Sequence, residues 1–96
     1  MGLFNAGSSI KTADGVLGTS GAVTRVYSMH ILSGGSAGVV NLRAGTLVTD
    51  TIWIQETGTA STGKTFVYGE KGNHFSGGVY VDVDANVTSV VISYSQ

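Results

Sequence analysis

The string Gly58-Thr59-Ala60-Ser61-Thr62-Gly63-Lys64-Thr65 has the spacing of a phosphate-binding loop, with Lys64 where a β/γ-phosphate ligand would sit and Thr65 where a magnesium ligand would. That chemistry needs the loop to open a helix, because the phosphate oxygens are held by unpaired backbone N–H groups at a helix N-terminus. Thr65-Phe66-Val67-Tyr68-Gly69 is instead β-branched and aromatic and is then broken by glycine. It reads as a strand, and the string before it as a loop between strands. Asp82, Asp84 and Asn86 repeat the opening of a calcium-binding loop, yet Val87 stands where glycine is needed and Ser93 where a bidentate Glu is needed. A turn in which Asp84 and Asn86 bond local backbone explains them more simply. His30 and His74 lie far apart, and Glu70 near His74 does not complete a metal-ligand spacing. No serine stands in a nucleophile elbow, and the sequon Asn86-Val87-Thr88 has no secretory signal to give it weight. The expectation is no catalytic residue, no metal ligand and no cofactor.

Composition narrows the partners. A formal charge of −1, with five Lys or Arg scattered at Lys11, Arg25, Arg43, Lys64 and Lys71, makes no basic stripe for phosphates, so nucleic acid is not expected. No apolar run approaches the ~20 residues of a membrane-spanning helix, so no membrane is expected either. At 96 residues the chain is short enough to bury only about 60–65% of its unfolded surface, and without cysteine it has no disulfide to compensate. Oligomerisation is the remaining common source of extra burial. A homotrimer is the expectation.

The elements that would carry any function are strands. Val79, Val81 and Val83 alternate with Tyr80, Asp82 and Asp84, and Thr88, Val90, Ile92 and Tyr94 alternate with Val87, Ser89, Val91 and Ser93. Together they read as two strands folded about a short Asp/Ala/Asn turn. From Val23 a long strand is expected with Tyr27, Met29 and Ile31 on its buried face, then a hairpin turn at Ser33-Gly34-Gly35-Ser36 into a strand whose Val40 and Leu42 face inward. Thr51–Glu56 and Thr65–Tyr68 are further strands, with two more expected at residues 10–17 and 46–49. The fold expected is an all-β, compact antiparallel β-sandwich or small barrel of six to eight short strands. Residues 1–22, with five glycines among isolated apolar groups, read as an arm with one possible edge strand, and residues 23–96 as a single β domain. Leu3 and Phe4 belong to that arm, as a loose end or as a dock onto a neighbouring subunit. If Ile52 and Ile54 point inward, Trp53 points outward, either as core under a second layer or as an interface anchor.

The stretch Arg25–Arg43, with strand Tyr27-Ser28-Met29-His30-Ile31, turn Ser33-Gly34-Gly35-Ser36-Ala37-Gly38 and strand Val39-Val40-Asn41-Leu42-Arg43, resembles the start of small β-rich structural proteins of tailed bacteriophages. Gly77-Gly78-Val79-Tyr80-Val81-Asp82-Val83 and Ser89-Val90-Val91-Ile92-Ser93-Tyr94 are similar to how such proteins end. The resemblance implies a non-enzymatic virion component, made in the host cytoplasm and located on the capsid surface. There it would act as a decoration (cement) protein, often a trimer, bound to the major capsid protein. Neck or tail accessory roles fit the same resemblance. A module for host-surface glycans, with Trp53 as a stacking platform, is the rival. Leu3, Phe4 and Trp53 are the candidate contact residues.

Overall fold

Alternation of β-branched and polar residues dictates strands, and the described residues form nine: β1 (Ala6–Lys11), β2 (Gly15–Val16), β3 (Thr24–Ser33), β4 (Val39–Ala44), β5 (Ile52–Thr57), β6 (Gly63–Val67), β7 (Asn73–Phe75), β8 (Val79–Val83) and β9 (Val87–Ser95). The structure, a computed structural model, describes residues 6–11 and 13–96, the first group as backbone only. The described residues contain no helix.

Every strand pairing is antiparallel. One sheet runs β1-β9-β3-β6, with β7 also on β3, and the other runs β2-β8-β4-β5. Strands β6 and β7 lie end to end along one side of β3, against Ser28–Leu32 and Thr24–Val26 respectively. Nine segments therefore fill eight strand positions. The order of those eight positions is that of a jelly roll.

The expected inward residues of β4 and β8 hold: Val40, Leu42, Val79 and Val81 are fully buried, facing Met29, Ile31, Val90 and Ile92 of the other sheet. Each such side chain contributes about 1.5–3 kcal/mol relative to leaving it in water. Leu17 and Phe75 extend the core to one end of the sandwich.

Three local expectations fail. The Ser33–Gly38 segment is no hairpin, because β3 and β4 belong to different sheets; β8 and β9 are likewise in different sheets, so the Asp84–Asn86 turn is a crossover. Only β4 to β5 and β6 to β7 stay within one sheet. Residues 46–49 form a turn instead of a strand. Tyr27 is not on the buried face: a bulge between Val26 and Ser28 gives β3 one residue more than β9. Val26 is therefore inside, Tyr27 and Ser28 turn outward in succession, and Met29 returns to the core. In the N-terminal segment, β1 pairs with β9 along six residues and β2 pairs with β8.

Candidate interaction surface

Loops 18–23, 45–51 and 76–78 gather at the end of the sandwich where β4 and β9 finish and β3, β5 and β8 begin. Loop 45–51 is shaped by one carboxylate. Asp50 Oδ2 accepts the backbone N–H of Thr46 at 3.0 Å and of Leu47 at 2.9 Å, and the Asp50 carbonyl accepts Arg43 Nη1 at 3.0 Å. The loop is tied to its neighbour by Gly45 N donating to Gly78 O at 3.1 Å. Gly45 has φ +145°, and any Cβ there would overlap the Asp50 carboxylate. With the Asp50 carboxylate turned onto its own backbone, the loop leaves Leu47 59% and Val48 48% exposed.

Trp53 and Ile52 continue this surface. A bulge between Leu42 and Arg43 on one strand and Ile54 and Ile52 on the other makes Trp53 the extra residue of β5, which breaks the alternation expected there. Ile54 packs on the core, Ile52 is exposed, and Trp53 keeps 59% of its surface open. The indole nonetheless leans on buried Phe75, with ring centroids 6.2 Å apart and planes at 52°. Its base is fixed by the core and its outer part is free. Leu3 and Phe4 lie outside the described residues.

The residues of the phosphate-loop and calcium-loop strings are spread apart, and each has its own partner. Lys64 and Thr65 lie in strand β6: Lys64 Nζ sits 5.3 Å from the centroid of the Phe66 ring, and Thr65 Oγ1 is 2.8 Å from His30 Nδ1. With no helix for Gly58–Gly63 to open, the geometry of a phosphate-binding loop is absent there. Asp84 accepts Val39 N at 3.0 Å and Asn86 N at 2.9 Å, the local turn bonding expected of it. Asp82 is held by Arg43 at 2.8 Å, and the same Oδ2 is 3.4 Å from Asn41 Nδ2, whose Oδ1 accepts from Gln55 at 2.8 Å. Across the gap between sheets, Tyr68 donates its hydroxyl to Glu56 at 2.8 Å; burial pushes the phenol well above its ordinary range, and the hydrogen bond and charge of Glu56 push it further. Among the described residues no three His, Asp or Glu side chains converge as metal ligands.

Compared with known proteins, the sequence matches no family model and no curated protein, and the structure matches no solved one. The surface therefore has to be read from its own chemistry. Of its exposed apolar side chains, sequence reasoning found Trp53 and missed Leu47, Val48 and Ile52. The one signal for the loop pair was an Asp three residues after Leu47, placed to accept backbone N–H groups in a tight turn.

Proposed function

We propose that this chain is a non-enzymatic structural protein of a tailed-phage virion, a decoration protein that docks on the major capsid protein through the surface formed by Leu47, Val48, Ile52 and Trp53. The observation that carries this reading is the concentration of four large exposed apolar side chains within residues 47–53. Scattered exposed apolar residues need no explanation, but a cluster on a loop held in shape by Asp50 loses little conformational freedom on docking. Trp53 is the anchor, since a large aromatic already braced on one side has less entropy to lose. Jelly rolls occur in viral capsid domains as well as in lectins, an analogy of fold alone. Sugar stacking at Trp53 is the weaker use of that ring, because its aromatic neighbour Phe75 is buried and offers no second platform.

Docking through loop 45–51 and the start of β5 leaves the edge strands β1, β2 and β6 for contacts between copies, consistent with a trimer on the shell. The test is to add purified protein to particles that lack it, count bound copies and measure the heat resistance of the shell. Binding in stoichiometric ratio to the capsid subunit, with a raised disruption temperature, is expected. No saturable binding to heads would overturn the reading, and binding confined to tails would move the protein to an accessory role.

A further inference from the structure

On the outer face of the β1-β9-β3-β6 sheet, two irregularities in adjacent strands face each other. The first is the bulge that turns Tyr27 out of the core. The second is the excursion between β6 and β7, where Tyr68 N donates to Tyr27 O at 2.8 Å and Gly69 to Gly72 close a turn with a 3.2 Å bond. Gly69 and Gly72 both have positive φ, +91° and +64°, and a Cβ on Gly72 would strike the Tyr27 ring and Val26 O. The turn is thereby pressed against Tyr27 and carries Glu70 and Lys71 outward. Between the irregularities lies an open groove of about 570 Å³, lined by Val23, Arg25, Tyr27, Glu70, Lys71, Ser95 and Gln96. That volume falls within the roughly 300–1,000 Å³ of small-ligand sites.

Two cations meet in this groove in a chain that has few. Among the described residues the one ion pair is Arg43 with Asp82, so neither Arg25 nor Lys71 is matched by a carboxylate. Arg25 is steadied by one hydrogen bond from Nη1 to the Lys71 carbonyl at 3.0 Å, which leaves its other N–H groups to bind a ligand. Tyr27 Oη and Ser95 Oγ share a 2.6 Å bond at the floor. The charged side chains lining the groove are Arg25, Lys71 and Glu70. Arg25 and Lys71 together offer N–H donors to the two oxygens of one carboxylate. Glu70 repels a second negative charge but accepts hydrogen bonds from hydroxyls, and exposed Val23 and the Tyr27 ring offer apolar surface to the C–H face of a sugar.

We propose that this groove binds the monocarboxylate sugar unit of an acidic polysaccharide. The carboxylate sits between Arg25 and Lys71, and the ring hydroxyls reach Glu70 and the Tyr27–Ser95 pair. The groove shares no lining residue with Leu47, Val48, Ile52 and Trp53, so ligand binding and capsid docking are tested by different variants.

The test is calorimetric and NMR titration of the full chain with methyl glucuronide, against methyl glucoside, acetate and inorganic phosphate. The glucuronide should bind at least about tenfold more tightly than any of the other three, with shifts centred on Tyr27 and Lys71. Arg25→Gln and Lys71→Gln should each weaken it by roughly tenfold or more, the cost of a lost charged hydrogen bond. Tyr27→Phe should weaken it several-fold, and Trp53→Ala should leave it unchanged. Lys71→Gln keeps the test decisive should Arg25→Gln fold poorly, because only the Lys71 backbone carbonyl serves the structure. Equal binding of acetate or phosphate would reduce the groove to a simple anion site, and equal binding of the glucoside would remove the role of charge. Retained affinity in folded Lys71→Gln would place any binding elsewhere. Each of these results overturns the proposal.

Discussion

At the end of the sandwich opposite Trp53, the loops 34–38, 58–62 and 84–86 hold only Gly, Ser, Thr, Ala, Asp and Asn, and they are laced together by backbone. Gly34 N donates to Asn86 O at 2.8 Å, Ser61 N to Gly34 O at 2.6 Å, and Gly58 N to Gly38 O at 2.8 Å. At the Trp53 end polar side chains do the tying, Asp50 in loop 45–51 and Gln96 across Leu17, Thr19 and Thr24, and the apolar residues are left outside. Glycine at the first end serves close approach: a Cβ on Gly58 would meet Ile31 and Ser33, and one on Gly38 would meet Val87. The lesson is that small residues seal one end of the sandwich, while a polar brace at the other end displays what is sticky.

The largest effect expected is on the sticky end. Replacing Leu47 with Asp together with Trp53→Ala should abolish attachment to heads, a loss of more than about 2 kcal/mol per site at a hot spot, while the melting temperature falls only slightly. Equal attachment by the double variant would break the contrast. Gly58→Val attacks the sealed end. It should destabilise the fold by about 1–3 kcal/mol through overpacking against Ile31, read by urea denaturation, with attachment of the folded fraction unchanged.

Asp50→Ala joins the two properties. Losing a carboxylate that holds two backbone N–H groups should cost about 1–2 kcal/mol of stability and weaken attachment as well, because the loop presenting Leu47 and Val48 loosens. The sandwich edge between the two ends supplies a pH signature. Tyr68 keeps its proton in the folded state beyond the ordinary phenol value near 10, so its stabilisation is complete below that pH and declines as pH rises past it. Wild type should therefore lose its advantage over Tyr68→Phe, about 0.5–1.5 kcal/mol at neutral pH, in melts taken above pH 10. Lys64→Ala should have the smallest effect, under about 1 kcal/mol from an exposed cation–ring contact, with no change in attachment.

Period-two patterning made the sheets legible: Val79 and Val81, Val40 and Leu42, Met29 and Ile31, and Val90 and Ile92 all lie where alternation puts them. It failed at Tyr27 and at Ile52, next to the extra residue Trp53, for one shared reason. A bulge inserts a residue and resets the phase without a characteristic residue type, since neither site is a glycine. Connectivity was hidden too, because Ser33–Gly38 and Asp84–Asn86 have the composition of hairpin turns whether the next strand pairs with the last or crosses to the facing sheet. Thr46-Leu47-Val48-Thr49 is β-branched enough to pass for a strand, and only the Asp50 carboxylate capturing Thr46 and Leu47 makes it a turn. The groove beside Tyr27 escaped notice because Arg25, Lys71 and Ser95 are remote in sequence and meet only through the pairing of β3, β7 and β9.

Strand β9 lies inside its sheet, between β1 and β3, although it ends one residue short of Gln96. While a growing chain lacks residues 87–95, β1 has no partner and β3 is bare along one side, so the sheet cannot form in the order in which it is translated. Nearly all of the ladders join distant segments, which predicts slow, single-step folding after synthesis with no early native hairpin beyond β4–β5. A protein built this way closes its β1-β9-β3-β6 sheet only once β9 has been made, because that strand alone joins β1 to β3.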